Sequence, residues 1–103
     1  MDTKNLIKHI CSSLDTRKAE DILVLDIQSV SSIADFFIIA SADSERAVKS
    51  LAENLVREVK KEFKLKAKID GLTDNRWIII DTGDLIVHIF HSETRVKYDL
   101  ESL

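Results

Sequence analysis

Trp77-Ile78-Ile79-Ile80-Asp81-Thr82-Gly83-Asp84-Leu85-Ile86-Val87-His88-Ile89-Phe90 sets the architecture of this chain. Two apolar runs flank Thr82-Gly83-Asp84, and Gly83 supplies the positive φ that a tight turn demands, so the stretch reads as a β-hairpin. Further upstream the pattern changes. Ala47, Val48, Leu51, Ala52, Leu55, Val56, Val59 and Phe63 keep one apolar stripe over about four and a half turns. Asp43 and Ser44 provide N-cap chemistry for that helix, and Glu45 suits the positive end of its dipole. One long helix beside one hairpin argues against an all-β chain. So does the scarcity of turn formers, two glycines and no proline in 103 residues.

Working outward, Leu6, Ile7, Ile10, Cys11 and Leu14 fall at helical spacing within residues 3–14. Asp21 to Asp26 is a short, almost wholly apolar run bounded by charges, which reads as a strand covered on both faces. Phe36 to Ala40 is a second such run, after the polar break from Gln28 to Ser32. Lys66 to Ile69 predicts a short strand stopped by Asp70-Gly71, and Ser92 caps a short final helix through Tyr98 that ends near Leu100. The predicted order is αββαβββα. It describes one α/β (α+β) domain over residues 1–103, with a single mixed sheet of about five strands flanked by helices.

A chain of this length buries roughly two-thirds of its unfolded surface, enough to fold without metals or cross-links. With 45% hydrophobic and 32% charged residues, its composition is that of a globular domain rather than a disordered one. A single cysteine, Cys11, excludes an internal disulfide and a multi-cysteine metal site, and suits a reducing compartment. No apolar run approaches the roughly 18 residues of a membrane-spanning helix. Met1-Asp2-Thr3-Lys4 has neither the apolar segment of a signal peptide nor the Arg-rich character of a transit peptide. The expectation is a domain that begins at residue 1 in a bacterial cytoplasm. The net charge of −3 is unevenly spread: residues 1–80 carry 13 Lys/Arg and 13 Asp/Glu, whereas residues 81–103 carry Arg95 and Lys97 against Asp81, Asp84, Glu93, Asp99 and Glu101. An end of that sign is a poor surface for nucleic-acid phosphates and suits a basic protein.

Several stretches invite a chemical reading. Ile80-Asp81-Thr82-Gly83 carries the letters of the aspartic-protease signature, in which two aspartates share one proton. That fold is all-β and glycine-rich, and Asp84 stands where those enzymes have a small residue. A hairpin turn accounts for the same letters. His88 and His91 lie three apart on or near one strand, a spacing that sends side chains to opposite faces, and the single thiol leaves zinc without a ligand set. Packing or a polar contact is the better role for both. Nucleotidyl transfer needs paired carboxylates for Mg²⁺ and a Gly-Ser pair or glycine-rich loop for phosphates. Asp81 and Asp84 instead flank a turn, Asp26 has no carboxylate two residues away, and no such loop exists. No cofactor and no metal is therefore expected. The basic run from Arg57 to Lys68 contains one aromatic, Phe63, which belongs to the apolar stripe, so the run reads as a solvated helix face. Trp77 and Tyr98, the one Trp and the one Tyr, stand in or beside the acidic segment. On chemistry alone they serve equally well as core or as interface anchors.

Five blocks in register add to this reading. They are Ala34-Asp35-Phe36-Phe37-Ile38-Ile39-Ala40-Ser41, Ser44-Glu45-Arg46, Trp77 to Asp84, Val87-His88-Ile89-Phe90, and Thr94-Arg95 with Tyr98-Asp99-Leu100-Glu101. In this order and at these separations they resemble the ribosomal silencing factor (Iojap-like) family, over nearly the whole chain from about Leu6. The resemblance implies a nucleotidyltransferase-like fold without the active site, and a translational repressor rather than an enzyme. The partner it implies is the large ribosomal subunit, bound through ribosomal protein fourteen near the intersubunit face, so that the small subunit cannot join when nutrients run short. It further implies a homodimer when free, and requires neither a membrane nor direct contact with nucleic acid.

Carried over by position, Trp77, Asp81, Gly83, Asp84, His88, Phe90, His91, Arg95, Tyr98, Asp99 and Glu101 match the family's blocks. Phe90, in an apolar strand, reads as core, and Gly83 as a backbone requirement. The expected partner-binding set is Trp77, Asp81, Asp84, His88, His91, Glu93, Arg95, Tyr98, Asp99 and Glu101. Three positions depart from the family pattern. Ala42 stands where Gly is usual, Ala47 where His is usual, and the chain ends at Leu103 without the Trp that many members carry after Asp-Leu-Glu. The first two bear on the start of the second helix, the third on docking.

Overall fold

Residues 2–71 and 73–102 are described by a computed structural model of the chain. Along it run α1 (Thr3–Thr16), β1 (Glu20–Asp26), β2 (Phe36–Ala42), α2 (Glu45–Phe63), β3 (Lys68–Asp70), β4 (Trp77–Asp81), β5 (Leu85–His91) and α3 (Ser92–Tyr98), followed by a 3₁₀ turn at Leu100–Ser102. The strands form one five-stranded mixed sheet in the order β1-β2-β5-β4-β3. At its centre β5 runs parallel to β2 and antiparallel to β4, and the β1–β2 and β3–β4 pairs are antiparallel.

Local chemistry starts and stops the helices where the sequence indicates. The Asp2 carboxylate accepts the Lys4 N–H at 3.0 Å, and Leu6, Ile10 and Leu14, four apart, form the buried edge of α1. Ser44 Oγ accepts the Ala47 N–H at 3.1 Å to open α2. Lys64 closes it in the left-handed region at φ +57°, its N–H returning to the Lys60 carbonyl. From α2, Val48, Leu51, Ala52, Leu55 and Val59 press on one face of the sheet, against Ile38 and Ala40 of β2, Ile78 and Ile80 of β4, and Leu85, Val87 and Ile89 of β5. Strand alternation puts all of these on the same side. Full burial of a side chain such as Leu55 contributes roughly 1.5–3 kcal/mol.

Alternation also dictates the other face. It carries Phe37 and Ile39 of β2, Trp77 and Ile79 of β4, and Ile86, His88 and Phe90 of β5. Ile27, Ala34 and Ile86 gather there into a second, smaller core with Leu25, Phe37 and Ile79. The segment between β1 and β2 supplies Ile27 and Ala34 to this side, α3 and the 3₁₀ turn pack there as well, and Arg95 fastens those two. Its Nε donates to Glu101 Oε1 at 3.1 Å and its Nη1 to Ser41 Oγ at 3.1 Å, while Ser92 Oγ donates to the Ala42 carbonyl at 3.0 Å.

Two expectations change. β1 is not covered on both faces: it is an edge strand, with Leu23 37% and Val24 40% exposed. A bulge between Glu20 and Leu23, with Asp21 at φ +50°, bends it at the margin, a device common on exposed edges. An apolar run measures side-chain hydrophobicity, not how many neighbours the strand finds. β3 covers Lys68–Asp70 rather than starting at Lys66, because its ladder opens opposite Asp81, the last residue of β4. Among the described residues no helix is long and apolar enough to cross a membrane.

Candidate functional site

Trp77 opens β4 on the sheet face that the two long helices leave free, directly across from Phe90. Its indole stacks on Phe90 with ring centroids 4.9 Å apart and an interplanar angle of 28°, and its Nε1 donates to His88 Nδ1 at 3.0 Å. A nitrogen that accepts carries no proton, so His88 is neutral with its proton on Nε2. Burial enforces the same state by lowering its pKa to about 4. Phe37 packs edge-on to the imidazole at 4.4 Å, and His88 Nε2 has no hydrogen-bond partner among the described residues. The indole is thus fixed by a stack below and a hydrogen bond at its edge, while its outer side stays half-buried.

The chain on either side of Trp77 shapes a groove around it. His91 Nδ1 accepts the Glu93 N–H at 3.3 Å, capping α3, and the His91 N–H reaches the Arg76 carbonyl at 2.8 Å. The helix then delivers Tyr98 against the indole at 4.7 Å, half exposed, with Lys97 Nζ 5.8 Å from the phenol ring centroid. On the opposite side Gly71, at φ +97°, lies so close that an added Cβ would stand 2.2 Å from the Trp77 carbonyl oxygen. Gly71, Asp74, Arg76, Trp77, Glu93, Thr94, Lys97 and Tyr98 together line a groove of about 500 Å³. Two carboxylates and two cations rim two aromatic rings, so the groove is amphipathic and of mixed charge.

Of the residues singled out from the sequence, Trp77, Glu93 and Tyr98 line this groove; His88 lies beneath it and His91 caps its helix. The others are placed elsewhere. Asp81 and Asp84 stand at the far end of the β4–β5 hairpin, four strand residues or roughly 13 Å from Trp77. The Asp81 carboxylate accepts the Gly83 N–H at 2.8 Å and Thr82 Oγ1 donates to the Leu85 carbonyl at 2.7 Å, so Asp-Thr-Gly is turn chemistry. The Asp84 carbonyl accepts the N–H groups of Asp35 and Phe36. Asp99 ends α3 in the left-handed region, and its carboxylate accepts from Ser102 Oγ at 2.5 Å. Arg95 points inward with a side chain 11% exposed, and Glu101 is its ion partner. Leu103, which bears on the expectation about a C-terminal Trp, lies outside the described residues. The carboxylates that give the chain its acidic end therefore do not converge on one patch. Gly71, Asp74, Arg76 and Lys97 are not among the site residues expected from the sequence. Asp70-Gly71 signalled a stop, but nothing local said that the loop after it would fold back on Trp77.

Comparison with known proteins gives this groove its context. The family model described as "Ribosomal silencing factor during starvation" matches residues 1–103. The Ribosomal silencing factor RsfS of Bacillus subtilis (strain 168) is 34% identical over 103 residues, which is 100% of this chain and 87% of that protein. A crystal structure of a Chromobacterium violaceum protein superposes with a TM-score of 0.93 at 30% identity, over 99% of this chain and 85% of that one. One from Bacillus halodurans gives 0.83 at 33% identity, over 96% and 92%. Identity of this order across the full length, a shared mixed sheet and the matching family model lead to one conclusion: the chain belongs to the ribosomal silencing factor family.

Proposed function

We propose that this chain represses translation by docking on the large ribosomal subunit through ribosomal protein fourteen, where its bulk occludes the small subunit. The observation that supports it best is the Trp77–Tyr98 pair, held rigid from below and open to solvent in a groove rimmed by both charge signs. Aromatic anchors in a concave, pre-set surface are the usual carriers of binding energy. The groove and its rim fit within a standard interface of roughly 800 Å² per partner. The mechanism is steric, with residues 1–103 acting as one cytoplasmic domain that uses no metal, no cofactor and no chemical step. Charges on the rim set the association rate, and the rings set the residence time.

The test is cosedimentation of the protein with isolated large subunits, followed by subunit-joining assays at rising salt. Wild type travels with the large subunit and suppresses joining. Tyr98→Ala, at a half-exposed position, keeps the fold and weakens both effects by about tenfold or more. A protein that stays free in the gradient at low salt ends this reading. Magnesium-dependent nucleotide turnover that disappears in Asp81→Asn replaces it with an enzyme. Self-pairing of the free chain is a second reading, favoured by Leu23 and Val24 exposed along the β1 edge; sedimentation velocity across a concentration series tests it.

A further inference from the structure

The outward surface of α2 takes no part in the groove. Its exposed residues include Arg46, Lys49, Arg57, Lys60 and Lys61 against Glu45, Glu53 and Glu62, and Glu45 is already engaged by Arg76 at 3.7 Å. At the C-terminal end of the helix Arg57, Lys60, Lys61, Lys64 and Lys66 surround a shallow hollow of about 620 Å³ whose lining contains no carboxylate. None of these five forms an ion pair among the described residues. Like charges three and four residues apart repel along a helix, so the free chain carries a small penalty that a polyanion would relieve. α2 spans about 27 Å. Its first residue is tied to Arg76 beside the Trp77 groove, which places the hollow at the opposite end of the helix.

We infer that this hollow is a second contact surface, one that takes the phosphate backbone of structured RNA. Its identification with ribosomal RNA rests on the docking proposed for the groove. The lining has no aromatic ring on which a base could stack, so binding is directed to the backbone and indifferent to sequence. Its wall is built from the aliphatic stems of these five side chains, with no apolar residue among them, and their five charged heads around one concavity match the dense charge of a phosphate chain. The chain's overall acidity does not oppose this, because its excess of carboxylates lies in residues 81–103. Two contacts at opposite ends of one rigid helix raise the effective concentration of the second once the first has formed.

The test is fluorescence anisotropy of the full chain with a labelled RNA hairpin of about 16 base pairs at stepped salt. Wild type binds at low salt, and its affinity falls linearly on a log–log plot against salt. Lys60→Gln/Lys61→Gln/Lys66→Gln weakens RNA binding about tenfold or more and lowers the salt slope by about two to three. The same variant binds isolated ribosomal protein fourteen as wild type does. Lys64 is left in place because it holds a left-handed backbone. A wild type that does not bind the hairpin, or a triple variant with an unchanged salt slope, overturns the inference. Polyglutamate that competes as well as RNA also overturns it, in favour of an acidic peptide. A chain that binds RNA through these lysines but fails to bind ribosomal protein fourteen supports this surface and removes the proposed role of the groove.

Discussion

Trp77 shows how one residue can be core and surface at once. Its inner side stacks on Phe90, its Nε1 is held by His88, and its outer side is half of an open groove. His88 contributes a pH dependence that follows from its burial. Its pKa stands at about 4 in the folded chain against 6.5 when exposed, so between these values the unfolded state binds more protons. Stability is therefore fully present above about pH 6.5 and declines as pH falls towards 4, by about 3 kcal/mol in all. Urea midpoints of wild type and His88→Gln at pH 7 and pH 5 check this: the wild type loses more on acidification, and equal losses would exclude the imidazole as the cause. The glycines differ in a way that also tests the site. Gly71→Ala meets the Trp77 carbonyl and lowers stability by about 1–3 kcal/mol. Gly83→Ala meets nothing within 4 Å and suffers only from its positive φ, by about 1 kcal/mol. Thermal melts that rank the two in the opposite order would contradict the close approach at Gly71.

At the scale of elements, α3 is the piece most in need of support. Seven residues are too few to hold a helix alone, and it buries no residue fully. Its place comes instead from the capping nitrogen of His91, the Ser92 hydroxyl on the Ala42 carbonyl, and the Arg95 guanidinium shared between Ser41 and Glu101. Arg95→Ala removes charge-assisted bonds from a nearly buried site and lowers stability by about 1.5–3 kcal/mol. It also frees the segment that carries Tyr98. Hydrogen exchange of the amides across 92–102 should accelerate well beyond that of β5, and unchanged protection there would show that α3 docks without Arg95. Arg95→Lys restores little, because an ammonium lacks the planar fork that reaches both partners.

On the scale of the whole molecule, stability concentrates in the layer between α1, α2 and the sheet, whereas the groove sits on the thinly covered opposite face. Leu55→Ala or Ile89→Ala opens a void in that layer and lowers stability by about 2–5 kcal/mol. Leu23→Ala, on the exposed β1 edge, lowers it by under about 1 kcal/mol in a denaturant series. Comparable losses at Leu23 and Leu55 would mean that β1 is covered after all. This separation lets one face hold the fold while the other stays open for contact, and α2 spans between its groove-side start and the basic hollow.

What was legible in the sequence is what local periodicity and cap chemistry encode. The stripe from Ala47 to Phe63, the Ser44 cap, the hairpin around Gly83 and the five-stranded count depend on neighbours three, four or two residues away, and the structure keeps each of them. The family resemblance came from longer blocks in register, and relatives at 30–34% identity over nearly the full chain agree with it. Strand order and side-chain convergence were not legible, because they depend on pairings between distant residues. A count of carboxylates in residues 81–103 suggested one acidic patch; the hairpin carries Asp81 and Asp84 to the far end of the sheet, and Arg95 engages Glu101 as its ion partner. The Gly71 loop came to Trp77 only because β3 folds back along β4, and with it came the groove. Composition supplied the groups. Only the sheet, by setting which face and which end each strand presents, decided which of them meet.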